Sequence, residues 1–414
     1  MTLITNEELL LIQILKCLLQ GETEFPSDLF SQDVNYERLY QIAQRNSVAN
    51  MAAFLICKSD DVPQEIRGKF DHQRMLITMQ QVKCEKALAE ACEILQDAKI
   101  RGIVLKGTIL KNLYPDPFMR SMSDIDVYME EENILQISPL MVRAGFSTGT
   151  IGSGNHYEYL KYDVAKIEYH PELVALDSAY GQQVFLKVNH SGLPVAQAMD
   201  IWDHTELFNG NEYVRQLTPE HHYLYVIMHM MNHLLTSGTG IRSIMDVWVM
   251  NHHYAMIWDR QDIESLLNEY GLLTIESYAL ALADKWFDLH EIPYVPKEVN
   301  RDLLDSFEQY IIGSGTYGNT IQSLNRQLDY ESGTSGKICY LLSRWFLPLD
   351  TMKHHYPLLN KHPALLPAFW FYRGIEVFAK RGNSTKHKMK TVMQADREQM
   401  EKQKALMDAM IGQE

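Results

Sequence analysis

The apolar residues of this chain change their spacing twice, and the two changes enclose a short block of strands between helices. From Glu7 to about Lys99 they recur three and four residues apart, in NEELLLIQILKCLLQ, YERLYQIAQRNSVANMAAFLICK and KCEKALAEACEILQDAK, which predicts amphipathic helices. Near Arg101 the spacing shortens. RGIVLKG reads as a short strand, TILKNLY as a brief helix, and SDIDVYME alternates as a strand from about Ser123. A helix through EENILQISPLMVRAG ends at Gly145, and the runs FSTGTIG, HYEYLKYD and AKIEYHPEL follow as strands between Gly, Asn and Asp turn residues. After about Asn209 helical spacing returns. It opens on Thr218-Pro219-Glu220, where Thr can cap and Pro can occupy the first turn, and it persists through NRDLLDSFEQYII. The expected fold is therefore α+β: an N-terminal helical segment over 1–95, a small mixed-sheet core over 96–212, and a large helical C-terminal domain over 213–414. Gly- and Ser-rich loops between Gly313 and Gly336, a basic stretch KRGNSTKHKMK and a polar helix to about Met410 complete the chain.

Composition narrows the function classes. A length of 414 residues suits about two to three domains. Apolar residues at 46% and charged residues at 22% are those of a folded globular protein. The net charge of −15 repels a polyanion, so extended binding to nucleic acid is disfavoured. The N-terminus lacks the basic start and cleavage site of a signal peptide. No stretch reaches the roughly 18 apolar residues of a membrane span, the nearest being LLPAFWF around Trp370. The five cysteines include no C-x-x-C pair and are odd in number, which argues against a zinc knuckle or a complete disulfide framework. These features predict a cytoplasmic protein with no membrane partner.

Chemistry concentrates between Leu105 and Met129, in LKGTILKNLYPDPFMRSMSDIDVYM. On a strand, Asp124 and Asp126 point to one face while Ile125 points to the other. Two carboxylates so placed suit shared divalent cations, and hard oxygen donors suit Mg²⁺ or Mn²⁺. Glu168 and His170 share a face of KIEYHPEL, so a neighbouring strand would bring Glu168 beside the aspartates. Upstream, Lys106-Gly107-Thr108 lies between a strand and a helix, where free N–H groups and a glycine favour phosphate. Lys106, Thr108 and Arg120 add donors for a triphosphate.

The order of strand, Gly-Thr turn, helix, Asp-x-Asp strand and third acidic strand resembles the DNA polymerase β-like nucleotidyltransferase superfamily. More closely, LKG, Tyr114-Pro115, Arg120, Ser123-Asp124-Ile125-Asp126 and Glu168-x-His170 resemble an uncharacterised bacterial nucleotidyltransferase family. The helical H-x3-H with Ile241-Arg242 and Asp246, and the run KHPALLPAFWFYR, resemble it too, so the likeness spans about Glu85 to Lys380. The resemblance implies an enzyme that moves a nucleoside monophosphate from a triphosphate, ATP among them, to an acceptor hydroxyl on a small molecule, peptide or protein, with loss of pyrophosphate. Asp124, Asp126 and Glu168 would be the catalytic and metal-binding residues. Lys106, Gly107, Thr108, Arg120 and Ser123 would bind the nucleotide, while His170, His229 and Arg242 would support the carboxylates or the acceptor. Two features depart from the superfamily: Thr108 replaces the usual Ser or Gly, followed by a spacer of 15 residues before Asp124, and Glu168 stands where Asp is common.

Other motifs are weaker. His229 and His233 have the four-residue spacing of zinc peptidases, but Met230 occupies the place of the catalytic Glu, which disfavours a metal-dependent hydrolase. Arg242 and Asp246 are spaced for an ion pair within one helix. Gly313-Ser-Gly315-Thr-Tyr-Gly318 follows a helix rather than a Rossmann strand, and SGTSGK lacks the first Gly and the final Ser or Thr of a P-loop. The basic residues Lys380 to Lys390 lack interleaved aromatics for base stacking. The main alternative to an enzyme is a non-catalytic regulator, antitoxin-like, that only binds nucleotide or protein.

Overall fold

The computed structural model describes residues 4–24, 34–151, 156–174, 199–236, 238–289 and 299–315, together with residue 196 and parts of 345–374 and 402–410. Local sequence sets the first helices. Helix α1 (Asn6–Leu19) starts at a capping box in which Thr5 and Glu8 satisfy each other's backbone N–H groups. Its buried face carries Leu11, Ile14, Leu15 and Leu18. Helix α2 (Tyr36–Arg45) is capped by Asn35 and is followed by α3 (Ala49–Ile56) and the long α4 (Gln64–Ala98). Lys99, at φ 55°, turns the chain out of α4 and into the sheet.

The sheet is mixed, with seven strands: β1 (Gly102–Val104), β2 (Ile125–Tyr128), β3 (Ser147–Ile151), β4 (Tyr157–Lys161), β5 (Ala165–His170), β6 (Thr205–Phe208) and β7 (Asn211–Leu217). They lie in the order β3-β4-β5-β2-β1-β7-β6. Short α5 (Gly107–Leu110) follows β1, and α6 (Glu131–Arg143) follows β2. Alternation divides the central strands cleanly. Ile125 and Val127 of β2 and Ile167 and Tyr169 of β5 join Leu88 and Leu95 of α4 and Ile134 and Met141 of α6 in one buried core. The residues between them, Asp126, Glu168 and His170, therefore emerge on the opposite face.

One expectation is corrected. Helical spacing is expected after about Asn209 with its first helix at Thr218-Pro219; the helix does start at Pro219, but the sheet fills the interval and continues to Leu217. β6 and β7 form a hairpin, and β7 pairs parallel with β1, placing Gly102 opposite Val214 and Val104 opposite Gln216. Asn209 and Gly210 turn the hairpin with φ of 50° and 74°. An Asn-Gly pair with both φ positive matches the right-handed twist of the flanking strands.

Among the described residues up to Ser314, the helices α7 (Pro219–Thr236), α8 (Ile241–Tyr254), α9 (Arg260–Glu269), α10 (Leu273–Phe287) and α11 (Arg301–Ser314) follow. By backbone contacts the chain divides into two units, Met1–Tyr317 with Asp408–Glu414, and Gly318–Met407. In the second, the described part of KHPALLPAFWFYR is helical, and Trp370 Nε1 donates to the Leu347 carbonyl at 2.9 Å. The basic residues Lys380 to Lys390, the SGTSGK run and Gly318 fall outside the described residues. No described helix is long and apolar enough to cross a membrane.

Candidate active site

β2 and β5 build the centre of the site. They run parallel in a register that sets Asp126 directly beside Glu168 and Tyr128 beside His170. On β5 the open face carries Lys166, Glu168 and His170 in succession. His170 Nε2 lies 2.8 Å from Asp126 Oδ1 and 3.6 Å from Glu168 Oε2. Lys166 Nζ is 2.5 Å from Glu168 Oε1 and 3.8 Å from Asp124 Oδ2. From β4, Glu158 stands opposite Glu168, and the His156 ring approaches Glu168 at 3.8 Å.

The turn after β1 supplies the second cation. Lys106 takes φ 46° and ψ −120°, a conformation that costs a side-chain-bearing residue on the order of 1–3 kcal/mol. In that pose its Nζ is 3.2 Å from Asp126 Oδ1 and lies over the Tyr225 ring. Burial alone would raise the Asp126 carboxyl, but the Lys106 ammonium and the His170 ring hold it well below the usual carboxylate range. Asp124 goes the other way: burial and the Asp126 charge raise it. Burial, with the Lys106 charge, keeps the His229 imidazole neutral.

A cleft of about 120 Å³ opens from these residues, bounded by Lys106, Gly107, Ser123, Asp124, Asp126 and His229, with Arg120 and Arg242 on its walls. The carboxylates suit a hard divalent cation, and the imidazoles of His156 and His170 a softer one. Ligand atoms of Asp126, Glu168 and His170 all lie within 4.8 Å of one another, as do those of His156, Glu158 and Glu168. Asp124 is tied to the group by charge rather than by that ligand spacing. Against Asp124, Asp126, Glu158 and Glu168 stand the two ammonium groups of Lys106 and Lys166, which leaves a surplus of negative charge for a cation to offset.

Of the residues expected at the nucleotide, Arg120 has another partner and Thr108 lines another cavity. Arg120 is buried, and its Nε and Nη2 close on Asp246 Oδ1 and Oδ2 at 2.7 and 2.8 Å. Tyr114 Oη donates to the same carboxylate at 2.7 Å. Asp246 is thus paired across the fold rather than with Arg242, which donates instead to the Ser121 carbonyl at 3.0 Å. Gly107 serves this arrangement, because a Cβ there would overlap the Arg120 guanidinium. Thr108 faces away from the acidic cleft and lines a different cavity, beside Lys111 and Ile125. Ser123 stays at the cleft, its carbonyl accepting from Gln80 Nε2 at 3.5 Å.

The loop from Asp116 to Ser123 is held from both flanks. Asn50 Nδ2 donates to the Phe118 and Met119 carbonyls, Gln81 to the Arg120 carbonyl, and Ser121 Oγ to the Ser47 carbonyl. His229 and His233 are neighbours, with ring centroids 4.1 Å apart, and neither belongs to a metal-holding group among the described residues. Sequence reasoning missed Lys166, His156 and Glu158, and it named Tyr114 and Asp246 without joining them to each other or to Arg120. Lys166 had a signal, since it shares the alternation of Glu168 and His170. The pairing of Tyr114 with Asp246, 132 residues apart, had none.

A family described as uncharacterised nucleotidyltransferase matches residues 32–288, more than half of the chain. No curated protein matches, and no solved structure does.

Proposed function

The chain belongs to this uncharacterised nucleotidyltransferase family, and from that premise we propose that it transfers a nucleoside monophosphate from a nucleoside triphosphate, ATP among them, to an acceptor hydroxyl, with release of pyrophosphate. The observation that carries the reading is the register of β2 on β5, which aligns Asp126 with Glu168 on the face away from the core, beside Asp124. Asp124, Asp126 and Glu168 would hold Mg²⁺ or Mn²⁺, with His170 steadying Asp126. When bound, two such ions neutralise phosphate oxygens and acidify the acceptor hydroxyl. The remaining work falls to the chain. Lys106 neutralises phosphate from the Asp126 side, the Gly107 and Ser123 backbone borders the triphosphate, and Arg242 stands on the far wall. Glu168 takes the acceptor proton as the acceptor oxygen bonds to the α-phosphorus and the bond to the β-phosphate oxygen breaks. Arg120 acts at one remove, fixing Gly107 and its own loop through Asp246.

The same proposal places the chain among DNA polymerase β-like nucleotidyltransferases and in the cytoplasm. It takes the acceptor as a small molecule, peptide or protein, since a net charge of −15 repels nucleic acid. The non-catalytic alternative draws on one observation: Lys106 and Lys166 already pair with Asp126 and Glu168.

The test incubates purified protein with Mg²⁺ or Mn²⁺, each labelled nucleoside triphosphate and a cell extract, and follows pyrophosphate release and label transfer. Turnover by the parent and none by an Asp124→Ala, Asp126→Ala variant supports the enzyme. A variant as active as the parent overturns the assignment, and nucleotide bound but never turned over establishes the regulator.

A further inference from the structure

The core side of the sheet holds a second cavity, of about 600 Å³, within the range of small-molecule sites. It lies between α4, the residues just after β1 and the tip of the β6–β7 hairpin. Its apolar wall is Leu88, Met122, Ile125 and Phe208. Its polar groups are unevenly satisfied. The Thr108 hydroxyl is buried, at 6% residue exposure, and has no hydrogen-bond partner. A buried hydroxyl left unpaired costs about 1–3 kcal/mol, so a partner for it is favourable. Lys111 is also buried, and its ammonium pairs with Glu85, whose side chain is half exposed. The cation is thus fixed inside, while its counter-ion reaches in from solvent and can be replaced.

We propose that this cavity binds a small organic monocarboxylate with a compact apolar body. The carboxylate takes the place of Glu85 on the Lys111 ammonium and, once the Thr108 side chain turns its enclosed hydroxyl toward the cavity, accepts a hydrogen bond from it, and the body lies against Leu88, Ile125 and Phe208. A single charge is specified because one ammonium and one hydroxyl balance one carboxylate, whereas a phosphate dianion would stay partly unpaired in a half-apolar chamber. The site stands independently of the nucleotidyl-transfer reading, because Thr108 and Lys111 belong to neither the acidic cleft nor its ion pairs.

The experiment titrates the full chain with benzoate and hexanoate, and with benzamide and hexanol as neutral probes of like shape, by calorimetry and ligand-observed NMR. The carboxylates are expected to saturate one site and to bind at least about tenfold tighter than the neutral probes. Lys111→Met should weaken carboxylate binding by about tenfold or more, and Thr108→Val by about three- to tenfold. Ala89→Phe, on the lining of the cavity, should block it. Binding should survive Asp124→Ala, Asp126→Ala, which separates this site from the acidic cleft. Thr108→Val removes an unpaired group and keeps the shape, so it tests binding without threatening the fold. Equal binding of the neutral probes, no saturable carboxylate binding, or carboxylate binding untouched by both Thr108→Val and Lys111→Met would overturn the proposal.

Discussion

Two ionic clusters stand on the walls of one cleft, and they are built on opposite principles. At Arg120 and Asp246, one guanidinium meets one carboxylate through two short bonds, and Tyr114 fills a further acceptor site. Charge is balanced, and all three residues are buried. At Asp126 and Glu168 the distances are comparable and the two carboxylates are just as buried, yet carboxylates outnumber ammonium groups, and the neighbouring Asp124 keeps about a third of its side chain in contact with solvent. The first cluster is complete as it stands. The second is short of positive charge and reaches solvent through Asp124, which is the condition of a site made to receive a cation or a substrate. Ion-pair geometry alone does not separate structure from function here; the charge balance and the opening do.

Breaking the open cluster should cost the most activity. Asp126→Asn is expected to lower nucleotidyl transfer by at least about a thousandfold, some 4 kcal/mol of barrier, while circular dichroism still reports a folded chain. The closed cluster should show the reverse signature. Asp246→Asn strands the Arg120 charge in the interior and should cost about 3–5 kcal/mol in denaturant unfolding. Asp126→Asn should cost less stability than Asp246→Asn, and the opposite ranking would erase the contrast.

Acid sharpens it next. Next to the closed cluster, His222 is buried with Nε2 unpartnered, and burial together with the Arg120 charge pushes it down to about 4. From its ordinary 6.5 down to that value, the unfolded chain binds a proton that the folded chain refuses. Stability is therefore unaffected above about pH 6.5 and falls as pH drops toward 4, by on the order of 3 kcal/mol. A His222→Gln variant should show a flatter profile over that window. Gly107→Ala forces the new methyl against Arg120 and should cost about 1–3 kcal/mol, with activity falling in step with stability. The smallest effect lies away from both clusters: Gly210→Ala, at φ 74°, should cost about 1 kcal/mol in thermal unfolding and leave transfer unchanged.

Much of the site could be read from alternation. A period of two along Asp124-Ile125-Asp126 and Lys166-Ile167-Glu168-Tyr169-His170 assigns faces without knowledge of the fold, and the structure then supplies the register that joins them. The α+β class was legible for the same reason, because strands and helices announce themselves within a few residues. The β6–β7 hairpin carries its signal in Asn209-Gly210, but Glu212 to Leu217 runs straight into a strong helix start at Thr218, which masks the second strand. What stayed out of reach was pairing at a distance. Asp246 has a good partner four residues away in Arg242, and nothing local says that Arg120, 126 residues earlier, takes it instead. The side taken by Thr108 was hidden for a related reason: a turn of four helical residues has too little period to assign sides.

That same turn makes one short piece of backbone a party wall. Gly107 borders the acidic cleft and Thr108 borders the chamber behind the sheet, so one peptide bond separates the two compartments. A guest that shifts this bond from one side alters the room on the other. Whatever factor it imposes on its neighbour's affinity, the neighbour must impose on it in return.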